Sequence, residues 1–233
     1  MQHISKKGKE EKRNWILASA TELFFEHGYD TVSMDQIAQK AEISKGSLYT
    51  YFKSKLDLYL CIQLEGERIL HQNMTAAFSS ESNGLRILQQ MSRVFVEFVM
   101  QYPGYFDAML FFSIQSNYQQ VKDEALLDAC IDQGQLKLNY IMRAIQVGQQ
   151  DGSIKPAIDP RSISIQIWAF TNGISELLFK KNDIESQFFQ SVNGLEYNLE
   201  RCMHDFMQTL CFAIATNPEE LKTTTINESS KNA

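Results

Sequence analysis

The sequence predicts an all-α protein of about nine helices, three in an N-terminal unit and about six in a larger C-terminal one. Three observations predict it. Apolar residues recur at helical spacing through long runs, and 233 residues contain only 4 prolines and 11 glycines to interrupt them. The hydrophobic content is 44%, enough for a sizeable core. Residues 34–51 read as two short helices joined by a tight turn.

Each element follows from its residues. A first helix over 12–27 puts Ile16, Ala20, Leu23, Phe24 and His27 on one face, with Trp15 beside it and Gly28 just past its end. Two short helices bury too little surface alone, so this one packs behind the next two. Ser33 is the N-cap of a helix over 34–41 whose Met34, Ile37, Ala38 and Ala41 face inward. Glu42 and Ile43 make the turn, Ile43 plugging the angle between the helices. Ser44 caps the next helix, over 45–51, which Leu48 and Phe52 anchor. Its other side presents Lys45, Gly46, Ser47, Tyr49, Thr50 and Tyr51. A short helix anchored on one face and filled with hydrogen-bonding groups on the other suits the major groove of double-stranded DNA.

Lys55 opens a long connecting helix over 56–78, and a hinge over 79–84 follows. The next helix spans 85–101 and stops at Pro103-Gly104. An apolar helix with Tyr105, Phe106, Met109 and Phe112 comes next, then a long one over 119–150 that ends at Asp151-Gly152. Asp159 caps another helix, with Pro160 at its first position and Ile163, Ile167, Phe170, Ile174 and Leu178 as its stripe. A charged stretch through Asp183 leads to the last helix, 195–215, which carries Leu199, Met203, Phe206, Leu210 and Ile214. Asn217-Pro218 ends it before a polar tail. The domains expected are 1–55, with a basic arm at 1–11, then 56–216, then a disordered tail at 217–233.

Ile37-Ala38 with Ala41, the run Ile43-Ser44-Lys45-Gly46-Ser47-Leu48-Tyr49-Thr50-Tyr51-Phe52 and the run Lys53-Ser54-Lys55-Leu56-Asp57-Leu58 carry a resemblance. Over residues 10–60 the chain resembles the DNA-binding region of the TetR family of bacterial transcriptional regulators. Glu42 departs from the pattern, since the family usually has glycine there; glutamate costs about 1 kcal/mol in such a turn, or the turn adjusts. The resemblance implies that Ser33 and Ser44 cap their helices beside phosphates, and that Lys45, Ser47 and Thr50 reach base edges. It implies that Gly46 lets backbone come close, that Tyr49 contacts phosphate, and that Tyr51 makes a second contact. Lys53 and Lys55 would meet phosphates. The arm from Lys6 to Arg13 reads equally as a phosphate tracker or a solubilising tail. The resemblance further implies a homodimer through the last two long helices, with the same residues also readable as an intrachain core. A dimer demands a near-palindromic operator.

The net charge of −6 looks wrong for a nucleic-acid binder until it is located. Residues 1–60 hold nine basic and eight acidic side chains, net +1, leaving 13 basic and 20 acidic elsewhere, net −7. The basic groups cluster in the arm and after the second motif helix, which orients that end toward phosphates. The 4 cysteines form no C-x-x-C pair and read as reduced core residues of a cytoplasmic protein. Glu200 and His204 stand alone, so no catalytic site, metal or cofactor is expected, and no segment is long enough to span a membrane.

Met91, Phe95, Phe98, Phe106, Met109, Phe112, Met142 and Trp168 are the candidate lining of a pocket for a small, largely apolar effector. The expected function is a sequence-specific transcriptional regulator, a homodimeric repressor released from DNA by that effector. The alternative is a DNA-binding dimer with no effector site.

Overall fold

The computed structural model describes residues 6–81, 83–115, 117–179 and 199–219. Among them are nine α-helices: α1 Lys6–His27, α2 Met34–Lys40, α3 Lys45–Tyr51, α4 Lys55–Ser80, α5 Gly84–Gln101, α6 Pro103–Gln115, α7 Glu124–Gln150, α8 Pro160–Phe179 and α9 Leu199–Ile214. A short 3₁₀ turn, Asn117–Gln120, precedes α7. The all-α class is as expected. Several boundaries differ. Helix α1 begins within the segment read as an arm, and Pro103 starts α6, since proline at a helix's first position leaves no needed donor unpaired. The long helix expected from residue 119 is instead the 3₁₀ turn followed by α7. Residues 1–5, Ser82 of the hinge, the stretch through Asp183, positions 195–198 and the tail beyond Glu219 lie outside the described residues.

The chain divides into two compact units. The first comprises residues 1–69 with 102–133, and the second 70–101 with 134–233. The division therefore does not follow a cut after residue 55: the first part of α4, all of α6 and the start of α7 belong with the first three helices.

In the first unit, Ile16, Ala20, Phe24, Val32, Met34, Ile37, Leu48 and Phe52 share one core with Leu58, Tyr59, Ile62, Ala108 and Phe112. Aromatic rings fill it: Tyr29 and Phe111 have centroids 4.5 Å apart, and Phe24 meets Tyr59 edge-on at 5.0 Å. Three expectations shift here. His27 is exposed and not on the buried face. Trp15 is 56% exposed, its indole N–H donating to the Ala41 carbonyl at 3.2 Å. Arg13 turns inward, its guanidinium 3.3 Å from Cys61 Sγ and 4.9 Å from the centroid of the Phe52 ring, so it is no part of a free arm.

In the second unit, Leu85, Ile87, Leu88 and Met91 of α5 pack with Ala144 and Ile145 of α7, Ile167 of α8 and Met207, Cys211 and Ile214 of α9. Phe170 and Phe206 stack at 3.8 Å, joining α8 to α9 inside one chain. Helices α5 and α7 cross at their backbones: a Cβ on Gly84 would lie 2.1 Å from the Gly148 nitrogen. Asp151 secures the crossing, accepting from the Gly84 N–H at 2.7 Å and the Ser153 N–H at 2.8 Å. The Lys155 ammonium donates to the Ala213 carbonyl at 2.8 Å, satisfying the end of α9.

Candidate nucleic-acid interface

Helices α2 and α3 are set by local chemistry. Ser33 and Gln36 form a capping box: the Ser33 hydroxyl accepts from the Gln36 N–H at 3.3 Å, and the Gln36 side-chain oxygen accepts from the Ser33 N–H at 2.8 Å. Val32 just before the cap and Ile37 one turn inside are both buried in the same core, as in a hydrophobic staple. Ser44 caps α3, its hydroxyl accepting from the Ser47 N–H at 3.2 Å.

The turn between them closes as a Schellman motif. The Ile43 N–H bonds the Ala38 carbonyl at 2.9 Å and the Glu42 N–H bonds the Gln39 carbonyl at 3.1 Å. This geometry needs a left-handed residue after the C-cap, and Glu42 supplies it at φ 54°. The turn keeps its form and glutamate bears the strain.

Leu48 and Phe52 are buried at 0% and 2% exposure, which fixes the roll of α3 about its axis. At 100° per residue, Gly46, Ser47 and Thr50 then point away from the core and Tyr49 flanks them. Tyr49 is 45% exposed. A Cβ on Gly46 would meet nothing within 4 Å, so the free chain does not need glycine there. Thr50 turns its hydroxyl back to donate to the Ser47 carbonyl at 2.7 Å, leaving its oxygen lone pairs outward. Tyr51 is half-buried against the core, a packing role beside any outward one.

The lysines divide by geometry. Lys45 stays exposed and pairs with Asp35 of α2 at 2.8 Å, and that hydrogen bond raises its pKa. Lys53 donates to the Lys122 carbonyl at 3.4 Å and lies 3.7 Å from the Asp123 carboxylate. Lys55 differs from the expected phosphate anchor. Its ammonium donates to the Tyr29 carbonyl at 2.7 Å and the Val32 carbonyl at 2.9 Å, with the Tyr29 ring centroid 4.2 Å away. Burial lowers its pKa and nearby Asp30 only partly offsets that. It clamps the α1–α2 loop to α4, with one N–H left over. Two elements of this surface went unread in the sequence, Asp35 and Gln36. The Ser33-x-x-Gln36 spacing was a readable signal for the second, whereas the Asp35–Lys45 pair joins two helices and has no local signature.

The candidate effector residues are split. Phe106, Met109 and Phe112 belong to the first unit and are buried there, Phe112 in its aromatic core. Met91 and Phe98 are buried in the second unit, and Phe95 and Met142 half-buried. Trp168 is 43% exposed, so it lines no closed pocket among the described residues. A cleft of about 1230 Å³ in the second unit is lined instead by Arg86, Arg93 and Glu97 of α5 and Glu200, Met203 and His204 of α9, and includes none of the candidates.

Residues 16–62 match the family model described as bacterial regulatory proteins, tetR family. The chain is 32% identical over 91 residues to the HTH-type transcriptional activator FasR of Mycolicibacterium smegmatis, covering 39% of this chain and 42% of that one. The chain spans less than two thirds of the length of the first curated relatives it matches. Among solved structures, the ketosteroid transcriptional regulator KstR2 of Mycobacterium tuberculosis shares the fold with a TM-score of 0.61 at 17% identity, covering 88% of this chain and 95% of that one. AibR, solved with isovaleryl coenzyme A and operator DNA, has a TM-score of 0.59 at 18% identity, covering 85% and 97% respectively.

Proposed function

The chain belongs to the TetR family of bacterial regulators, a DNA-binding helix-turn-helix group, and from that premise we propose that it is a homodimeric repressor released from its operator by a small effector. The observation that carries the DNA-binding half is the outward face of α3. Lys45, Gly46, Ser47, Tyr49 and Thr50 stand clear of the core while Leu48 and Phe52 lock the helix beneath them. Ser47, Thr50 and Lys45 supply base-edge contacts, each contributing about 1–3 kcal/mol of discrimination. Tyr49, Lys53 and the capped starts of α2 and α3 supply phosphate contacts. Lys55 acts mainly behind this surface, holding the loop that leads into Ser33.

One α3 reads too few base pairs to choose a genomic site, so two copies act together. Exposed Ile165, Trp168 and Phe212 on α8 and α9 support pairing through these helices. The protein works in the bacterial cytoplasm, where its DNA is; among the described residues no helix is long and apolar enough to cross a membrane. Effector binding favours a state with the two α3 helices wrongly spaced, so the ligand must bind that state more tightly. AibR was solved with both a ligand and operator DNA, a precedent for two kinds of partner on one such fold.

Selection of bound duplexes from a random DNA pool tests the reading. The expected result is a near-palindrome with half-sites about 34–36 Å apart. A pool that shows no enrichment, from a protein that stays monomeric, overturns it. The second reading, a DNA-binding dimer with no effector, is favoured by the burial of Phe106, Met109 and Phe112 as ordinary core. A thermal-shift screen in which no small molecule stabilises the chain would select it.

A further inference from the structure

The lysines between residues 28 and 60 are Lys40, Lys45, Lys53 and Lys55, and each has an acceptor within the chain. Lys40 pairs with Glu22 at 2.7 Å, Lys53 with Asp123 at 3.7 Å, and Lys55 bonds two backbone carbonyls. Lys45 differs in place. It is the first residue of α3, and the N-terminal residues of a recognition helix are those that meet base edges. Its ammonium straddles both oxygens of Asp35, in the first turn of α2, at 2.8 Å and 3.0 Å. The two side chains are 56% and 65% exposed, so neither is tucked into the core. A pair this exposed adds little to folding, which leaves its position beside the reading helix to be explained.

The pair sets donors directly beside acceptors. An ammonium carries three N–H donors, of which Asp35 takes at most two, and a carboxylate has about four acceptor sites. Both groups therefore keep capacity for a further partner. In the major groove a G·C pair presents two acceptors, guanine N7 and O6, followed by one donor, the cytosine N4 amine. O6 and N4 are bonded to each other across the base pair, about 2.9 Å apart. The Lys45 nitrogen and the Asp35 oxygens stand at the same spacing with the opposite polarity. An A·T pair presents acceptor, donor, acceptor instead. There a carboxylate accepting from adenine N6 is flanked by the lone pairs of N7 and O4, and a lysine on thymine O4 lies against the C5 methyl.

We propose that Asp35 is a specificity-determining residue, which together with Lys45 reads one G·C pair in each half-site. Lys45 donates to guanine N7 and O6, Asp35 accepts from cytosine N4, and the two side chains stay in contact with each other. A base-reading group thus lies on α2 as well as on α3. Asp35 also acts against wrong sites. It makes the pair neutral, so a phosphate approaching Lys45 meets the carboxylate too, and binding that carries no sequence information is weakened. This rests on the reading of the α3 face as the DNA-contacting surface and names one base pair that the surface selects.

Fluorescence anisotropy tests this on the full chain with the selected operator, with duplexes in which each base pair is replaced in turn, and with a random duplex of equal length. Wild type is expected to lose at least about tenfold in affinity when one particular G·C pair per half-site becomes A·T or T·A. Asp35→Ala reduces that preference to under about twofold and keeps the others. It binds the random duplex more tightly, with a salt slope steeper by about 1 for each protomer, because Lys45 is freed for a phosphate. Replacing the cytosine of that pair by 2-pyrimidinone, which has no 4-amino group, weakens wild type and leaves Asp35→Ala unmoved. If Asp35→Ala does not fold, the 2-pyrimidinone scan on wild type decides. An Asp35→Ala variant that keeps every base preference, or that loses affinity evenly at all positions as a misplaced helix would, overturns the proposal. So does an operator in which no 2-pyrimidinone substitution weakens wild type. A wild type that binds no duplex refutes the DNA-reading surface itself, and one that selects an operator with preferences indifferent to Asp35 refutes this pair alone.

Discussion

Glu42 shows how a single residue reveals its surroundings. Its φ of 54° is a conformation that L side chains with a Cβ adopt at a cost, and the two Schellman hydrogen bonds around it are both made. Glu42→Gly is therefore expected to raise stability by about 1 kcal/mol, measured by chemical denaturation, with α3 unmoved. The departure was visible in sequence, but whether the residue or the turn would yield was not, because that depends on how firmly α2 and α3 are held. Lys55 teaches the opposite lesson. As a lysine after the motif it looked like a phosphate ligand, yet its ammonium bonds the Tyr29 and Val32 carbonyls. Lys55→Met should lower stability by about 1–2 kcal/mol. It should also leave the salt dependence of DNA binding nearly unchanged, whereas removing a true phosphate contact lowers the slope by about 1.

At the scale of elements, caps and breaks were legible because their causes lie within a few residues. Ser33, Ser44, Gly28 and Pro160 each sit where their local chemistry places them. The crossing of α5 on α7 was not legible, since it joins Gly84 to Gly148 across the intervening chain. Gly84→Ala would drive a methyl into the Gly148 backbone, which no rotamer change relieves, and should cost about 3 kcal/mol or prevent folding. Asp151 guards the same joint. Burial pushes its pKa up, but hydrogen bonds from Ser153 and the Gly84 N–H outweigh that and hold it below the ordinary 3.8. A folded pKa below the unfolded one adds stability that is complete above the unfolded value and lost as pH falls through the folded one. Asp151→Asn should therefore cost about 1 kcal/mol at neutral pH, and the gap from wild type should narrow as pH falls below the unfolded value and close once it passes the lower folded one.

At the scale of the whole molecule, the exposed apolar residues are the guide. Ile165, Trp168 and Phe212 are 57%, 43% and 42% exposed on the helices proposed to pair. Trp168→Glu places a charge on that face and should give a folded monomer by light scattering, with operator affinity lowered at least about a hundredfold through loss of the second half-site. A variant that remains dimeric would move the interface elsewhere. The arrangement of the chain into units was the least legible feature. A boundary at residue 55 follows the end of the motif, but residues 102–133 belong with the first unit. Phe106, Met109 and Phe112 were read as pocket residues because apolar side chains at helical spacing look alike whether they line a ligand or a core.

By itself the sequence determined the helical class, the capped pair of helices and the outward chemistry of α3. Each depends on interactions between residues a few positions apart, which periodicity and capping residues encode directly. The tertiary structure alone decided which lysine is a clamp, where α6 belongs and which polar groups are shut into a core. Those outcomes depend on burial and pairing between distant segments, and a residue's type does not say which neighbour will desolvate it.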